Sequence, residues 1–114
     1  MSNKFLQTIL EPEVSAKGAI VTQDFRNENI SNIVLQDFKF SGVNFFGCMF
    51  RNVDFTGSLF VNCQFNKCNF CDVRFRKTDY WNCSFRNTEI ITSDLSRTEF
   101  NSSFLKRLSF FKLI

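Results

Sequence analysis

Large apolar residues recur along this chain every five positions. Each multiple of five from 20 to 110 holds one: Ile20, Phe25, Ile30, Leu35, Phe40, Phe45, Phe50, Phe55, Phe60, Phe65, Phe70, Phe75, Tyr80, Phe85, Ile90, Leu95, Phe100, Leu105 and Phe110. An α-helix repeats its apolar face with a period of 3.6 and a strand with a period of 2, so neither alone produces this spacing. An internal repeat does. Two residues before each large position, from Val43 through Cys48, Val53 and Ser58 to Ser103, the chain is small or β-branched and never charged. Two residues after it, the chain runs through Gly42, Gly47, Asn52, Gly57, Asn62, Lys67, Asp72, Lys77, Asn82 and Asn87. Each unit therefore predicts one large inward residue, one small inward residue and a corner. Glycine and asparagine suit a corner because they accept the positive φ that tight turns require.

The units VDFTG (53–57), CQFNK (63–67), CNFCD (68–72), VRFRK (73–77), TDYWN (78–82) and CSFRN (83–87) carry a resemblance. The chain resembles the pentapeptide-repeat family over residues 20–110, without a gap. That resemblance implies an all-β fold, a right-handed quadrilateral β-helix with four pentapeptides per coil and about 4–5 coils. Residues 20–114 would form the solenoid and 1–19 an N-terminal cap. A twenty-residue coil puts Phe25, Phe45, Phe65, Phe85 and Leu105 in one interior column, and Ile30, Phe50, Phe70, Ile90 and Phe110 in a second. Leu35, Phe55, Phe75 and Leu95 form a third, and Phe40, Phe60, Tyr80 and Phe100 a fourth. Tyr80 brings a hydroxyl into that interior, which needs a partner or water.

A solenoid's ends need covering. Residues 3–10 predict a short helical lid with Phe5, Leu6, Ile9 and Leu10 on one side, capped by Ser2 or Asn3 and ended at Glu11-Pro12. Gln23 and Glu28 stand in the small inward register, so the first units should be irregular. At the other end, residues 104–114 are apolar. Either Leu105 and Phe110 continue the coil, or Phe104, Leu108 and Phe111 make a short helical face. Family members that act on topoisomerases form end-to-end dimers through their C-terminal ends. The resemblance thus implies a homodimer through Phe104, Leu108 and Phe111, with a self-folded cap as the alternative.

Composition narrows the chemistry. Seventeen phenylalanines in 114 residues exclude a disordered chain, and the absence of histidine removes imidazole as base, acid or metal ligand. No run of 18 apolar residues occurs, and MSNKFLQTILEPEV makes a poor secretory signal, so we expect a bacterial cytoplasmic protein without a membrane span. Of the five cysteines, Cys68 and Cys71 form a C-x-x-C, but the grid points Cys68 inward and Cys71 outward, and no second pair completes a zinc site. Cys48 stacks over Cys68 and Cys63 over Cys83. Their parallel side-chain directions suit reduced thiols better than disulfides. No metal and no cofactor is expected.

Asp54 and Asp94 share an outward column with Arg74 between them, a cross-strand charge ladder. Acid–base catalysis would need a pocket that a filled solenoid does not offer, so we expect no enzyme. Between residues 20 and 103 nine acids balance nine bases, and the net charge of +3 comes from Lys106, Arg107 and Lys112. Topoisomerase-protecting relatives mimic duplex DNA with an acidic rod, and a neutral rod makes a weak decoy. Arg74, Arg76, Lys77 and Arg97 form only a small basic patch among acids, which reads as a solvated face, so no direct nucleic-acid binding is expected. Outward apolar residues remain: Phe46, Met49, Ile91, and Val61 with Trp81 in one column beside Leu59. Leu59, Val61 and Trp81 are the candidate interaction surface. The expected function is a non-enzymatic protein–protein interaction scaffold with an unidentified protein partner. The alternative is a protein that protects a topoisomerase, DNA gyrase.

Overall fold

In the computed structural model, residues 3–111 are described. Two short helices, α1 (Lys4–Ile9) and α2 (Pro12–Lys17), precede a solenoid of short strands. In chain order these are β1 (Ala19–Val21), β2 (Asp24–Arg26), β3 (Asn29–Val34), β4 (Lys39–Ser41), β5 (Asn44–Phe46), β6 (Met49–Asp54), β7 (Leu59–Val61), β8 (Gln64–Asn66) and β9 (Asn69–Cys71). They continue as β10 (Asp79–Trp81), β11 (Ser84–Ile91), β12 (Glu99–Asn101) and β13 (Phe104–Phe111). All pairing is parallel and joins each residue to the one twenty positions on. Phe25 pairs with Phe45, Phe45 with Phe65, Phe65 with Phe85 and Phe85 with Leu105. The same offset links Phe40, Phe60, Tyr80 and Phe100. Asp54, Arg74 and Asp94 join by single bridges on the side where the chain makes turns instead of strands. The result is a stack of about five parallel coils.

Burial follows the grid. Phe40, Phe50, Phe60, Phe70, Phe75 and Phe85 are fully excluded from solvent, as is Phe5 of the lid. Along a column the rings lie nearly parallel: Phe65 to Phe85 at 4.6 Å and 8°, Tyr80 to Phe100 at 5.0 Å and 5°. Between columns they meet edge to face, as Phe70 does Phe75 at 5.1 Å and 70°. Both arrangements put ring edges against ring faces or offset the faces, and each pair adds about 0.5–1.5 kcal/mol to the burial term. Tyr80 is 1% exposed. Burial pushes its phenol pKa well up, with smaller contributions from Cys83 and Cys63.

The small register has a purpose that residue size alone did not disclose. Its hydroxyls and thiols donate to the carbonyl of the large residue one coil back, 23 positions earlier. Ser58 Oγ reaches Leu35 O at 2.7 Å, Thr78 Oγ1 reaches Phe55 O at 2.9 Å and Cys83 Sγ reaches Phe60 O at 3.3 Å. A buried donor is thereby satisfied without any room being taken from the rings. Cys, Ser, Thr and Val can exchange at these positions because all share one compact shape.

Corners are more uniform than their residues. Every fifth residue from Thr22 to Arg107 has positive φ, and only Gly42, Gly47 and Gly57 among these are glycine. Lys67, Lys77, Arg97 and the β-branched Thr22 and Thr92 take the left-handed conformation too, at about 1–2 kcal/mol each. Stacking holds them there. Corner N–H groups donate to the next coil, Lys67 N to Arg86 O and Lys77 N to Ser96 O, both at 2.9 Å. Asparagine corners add side-chain rungs, Asn82 Nδ2 to Asn62 Oδ1 at 2.7 Å.

The lid forms as expected in position, with two differences. Asn3 caps α1 by accepting the Leu6 N–H at 3.0 Å. Phe5 and Ile9 turn inward with Thr8, whereas Leu6 and Leu10 face solvent, because a six-residue helix can seat only one narrow stripe on the first coil. A second helix, α2, follows with Pro12 at its first turn and Gly18 closing it at φ +62°. Glu28, which broke the small register, is buried and accepts the Phe5 N–H at 2.9 Å. The irregularity of the first coil is the socket for the lid.

At the far end β13 pairs with β11 from Phe104 to Phe111, so this segment continues the coil as a strand. No helical face forms. Leu105 and Phe110 extend interior columns yet are 45% and 40% exposed. Residues 112–114 of the apolar segment, and Ser2 as an alternative cap, lie outside the described residues.

Candidate interaction surfaces

With the interior filled, chemistry must reside on outward columns. Leu59 and Val61 lie on β7 and Trp81 on β10, and parallel pairing sets Val61 beside Trp81 and Leu59 beside Asp79. Trp81 is 48% exposed, while Leu59 and Val61 are half-buried. The structure brings these three together on one flat side. It also adds Val21, 63% exposed, at the near end of the same column, with Ser41 intervening. Val21 was readable as a member of the 21, 41, 61, 81 series but stands in the irregular first coil. Lys39, Asp79 and Glu99 flank the strip, giving it an apolar ridge with a charged margin.

Phe104, Leu108 and Phe111 do not form one face. As strand residues, Phe104 and Phe111 project from different sides of the coil, and Leu108 packs half-buried against the core. The apolar end is made instead by Leu105 and Phe110, whose exposed sides would otherwise receive another coil.

Cys68 is buried and Cys71 partly exposed, as the grid requires. Cys48, Cys63, Cys68 and Cys83 are all free thiols inside the solenoid. The facing Cys83 thiol, together with burial, pushes Cys63 up; Cys48 and burial do the same to Cys68. Among the described residues no group of three or more Cys, Asp or Glu is placed to hold a metal.

The charge ladder is hydrogen-bonded and only partly at the surface: Arg74 is exposed and Asp94 half-buried, but Asp54, expected to face outward, is only 8% exposed because Thr56 and Gln36 cover it. Burial works to raise the pKa of Asp54, but Thr56 side-chain and backbone donors, Gln36 Nε2 at 2.8 Å and the Arg74 charge bring it below the usual aspartate value. The Ser96 side chain and backbone, aided by Arg76 and Arg74, lower Asp94 despite some desolvation. Arg74, Asp72, Asp94 and Asn52 border a shallow open depression between two sides.

Eight copies of the pattern described as pentapeptide repeats match residues 39–76 and 68–107. The chain belongs to the pentapeptide-repeat family. No curated protein matches it. Among solved structures, one trypsin-treated form of QnrB1, a plasmid-mediated fluoroquinolone resistance protein, superposes with a TM-score of 0.71 at 15% identity. That match covers 83% of this chain and 56% of the QnrB1 chain. A second trypsin-treated QnrB1 form gives 0.66 at 17% identity, covering 79% and 51%. HetL, a pentapeptide repeat protein involved in heterocyst differentiation regulation from the cyanobacterium Nostoc sp. strain PCC 7120, gives 0.41 at 11% identity, covering 80% and 52%. The chain therefore spans about half the length of the QnrB1 structures it matches. At these identities the likeness is one of fold. No helix among the described residues of this pentapeptide-repeat protein is long and apolar enough to cross a membrane.

Proposed function

We propose that this pentapeptide-repeat protein is a non-catalytic interaction solenoid that engages a protein partner through the Leu59, Val61 and Trp81 strip. The observation that carries this reading is Trp81, half-exposed directly beside Val61 on a flat sheet, where no packing need explains it. A tryptophan with an apolar neighbour and a charged margin is the usual make-up of an interface centre. Interior filling supports a non-catalytic role, as does the placing of Asp54 and Asp94 on either side of Arg74, each bonded by its own neighbours Thr56 and Ser96. Free buried thiols support a reducing compartment such as the cytoplasm. Affinity capture from native lysate with the wild-type chain and with Trp81→Glu tests the site. Loss of a captured protein at unchanged melting temperature supports it, and identical captured sets defeat it.

Two further readings draw on particular observations. The fold likeness to QnrB1 favours protection of a topoisomerase, while the near-neutral coils weaken DNA mimicry. A gyrase supercoiling assay with quinolone decides this: no rescue at micromolar protein ends it. The exposed Leu105 and Phe110 favour a homodimer through the C-terminal coil, and Phe110→Glu should convert a dimer to a monomer in light scattering.

A further inference from the structure

The side of the solenoid built on Phe25, Phe45, Phe65 and Phe85 has a charge distribution that the near-neutral total conceals. Its outward and corner positions hold Arg26, Lys67, Arg86, Lys106 and Arg107 against a single carboxylate, Asp24, a net +4. The other nine cations of the chain face ten carboxylates, a net −1. All the cations of this side are exposed. They run along the solenoid axis, and from Lys67 to Arg107 the run spans two coil spacings, roughly 10 Å.

Aromatic rings interleave with them. The Arg26 guanidinium sits 5.2 Å from the Phe46 ring centre, the Lys67 ammonium 5.6 Å from the same ring, and the Arg86 guanidinium 5.6 Å from Phe104. Phe104 is 56% exposed. Beside Arg26 lies a shallow cleft of about 150 Å³, bordered also by Asp24, Asn44, Phe46, Gln64 and Asn66.

We propose that this side binds a segment of single-stranded nucleic acid, a role beyond the protein-partner strip on the neighbouring side. Phosphates would lie along Lys67, Arg86, Lys106 and Arg107. A base would enter the cleft against Phe46, and another would stack on Phe104. Basic tracks with exposed rings are how single strands are held without a duplex groove. An acidic protein surface matches the cations equally well, but the Phe46 and Phe104 rings set among those cations favour flat bases. A duplex keeps its bases stacked on one another and cannot reach the cleft or Phe104.

Fluorescence polarisation of an end-labelled mixed-sequence 12-nucleotide DNA, titrated with the whole 114-residue chain at several salt concentrations, tests the proposal. Four phosphate contacts predict a slope of log K against log salt near about −3, at roughly 0.7 per contact on a single strand. The double variant Arg86→Gln, Lys106→Gln should about halve that slope, since it removes two contacts. Phe104→Ala should weaken binding about tenfold with the slope unchanged, which a purely ionic contact would not show. Arg76→Gln with Lys77→Gln, on another side, should alter neither. All substituted residues are exposed, so circular dichroism and melting should match wild type. Absence of binding at micromolar protein in low salt would overturn the proposal. So would equal competition by a duplex of the same sequence, or by a twelve-residue polyglutamate, the latter assigning the side to an acidic protein.

Discussion

Replacing Phe65 with alanine tests the columnar core at its centre. Phe65 is 1% exposed and touches five aromatic rings. Phe45 and Phe85 stack on its two faces at 5.1 and 4.6 Å, and Phe60, Phe70 and Tyr80 meet it edge to face at 5.5, 5.6 and 6.1 Å. Such a site cannot collapse around a void, because rings above and below are held by their own coils. Phenylalanine to alanine in a closed core costs about 3–5 kcal/mol, and the lost stacking puts this site in the upper part of that range. A domain of this size has about 5–15 kcal/mol in all. Urea unfolding should therefore show a midpoint far below wild type. Phe110→Ala removes the same side chain from a position 40% exposed at the open end and should cost under about half as much. Equal costs at Phe65 and Phe110 would refute the columnar packing.

Five smaller perturbations probe the corners, the lid, the core hydroxyl and the charge ladder. Thr92→Asn keeps a corner at φ +47° while removing β-branching, and should raise stability by up to about 1 kcal/mol; Gly57→Ala, at φ +76° with Asp37 Oδ1 where its Cβ would go, should lower it by more than that. Glu28→Ala orphans the Phe5 N–H, so hydrogen exchange should speed over Lys4–Ile9 and leave Phe60–Phe70 unchanged. Tyr80→Phe removes one buried hydroxyl and keeps the stacked ring, so thermal melting should shift far less than for Phe65→Ala. Asp54 has a folded pKa below its unfolded value of about 3.9, so its contribution is present above that pH and lost as pH falls through the folded value; Asp54→Asn should flatten the stability profile below about pH 4.

The repeat was legible because it is covalently periodic: a residue's role follows from its number modulo five, and its neighbours from its number modulo twenty. The same arithmetic put Val61 beside Trp81 and Asp54 beside Arg74. What it could not show was direction within a register. Glu28 read as a defect because its partner, the Phe5 N–H, belongs to a helix outside the repeat. Leu6 and Leu10 read as core because helical spacing does not reveal how much of a short helix the first coil can cover. The left-handed corners at Lys77 and Thr92 defied residue preference, because stacking on adjacent coils outweighs a local strain of one or two kcal/mol. The basic side was hidden for a different reason. Arg26, Lys67, Arg86 and Lys106 are far apart in sequence, and a count over consecutive coils averages them with the acids of other sides.

Because the interior is filled, function falls to the outward columns, and Trp81 would be the centre of the proposed protein-binding strip. Trp81 is the sole tryptophan, so its emission reports on that strip alone. The most direct measurement is that emission, with acrylamide quenching, before and after addition of the captured partner. The account predicts a blue shift and protection from quencher as a half-exposed indole becomes covered. Unchanged emission and unchanged quenching in a complex shown to have formed would contradict it.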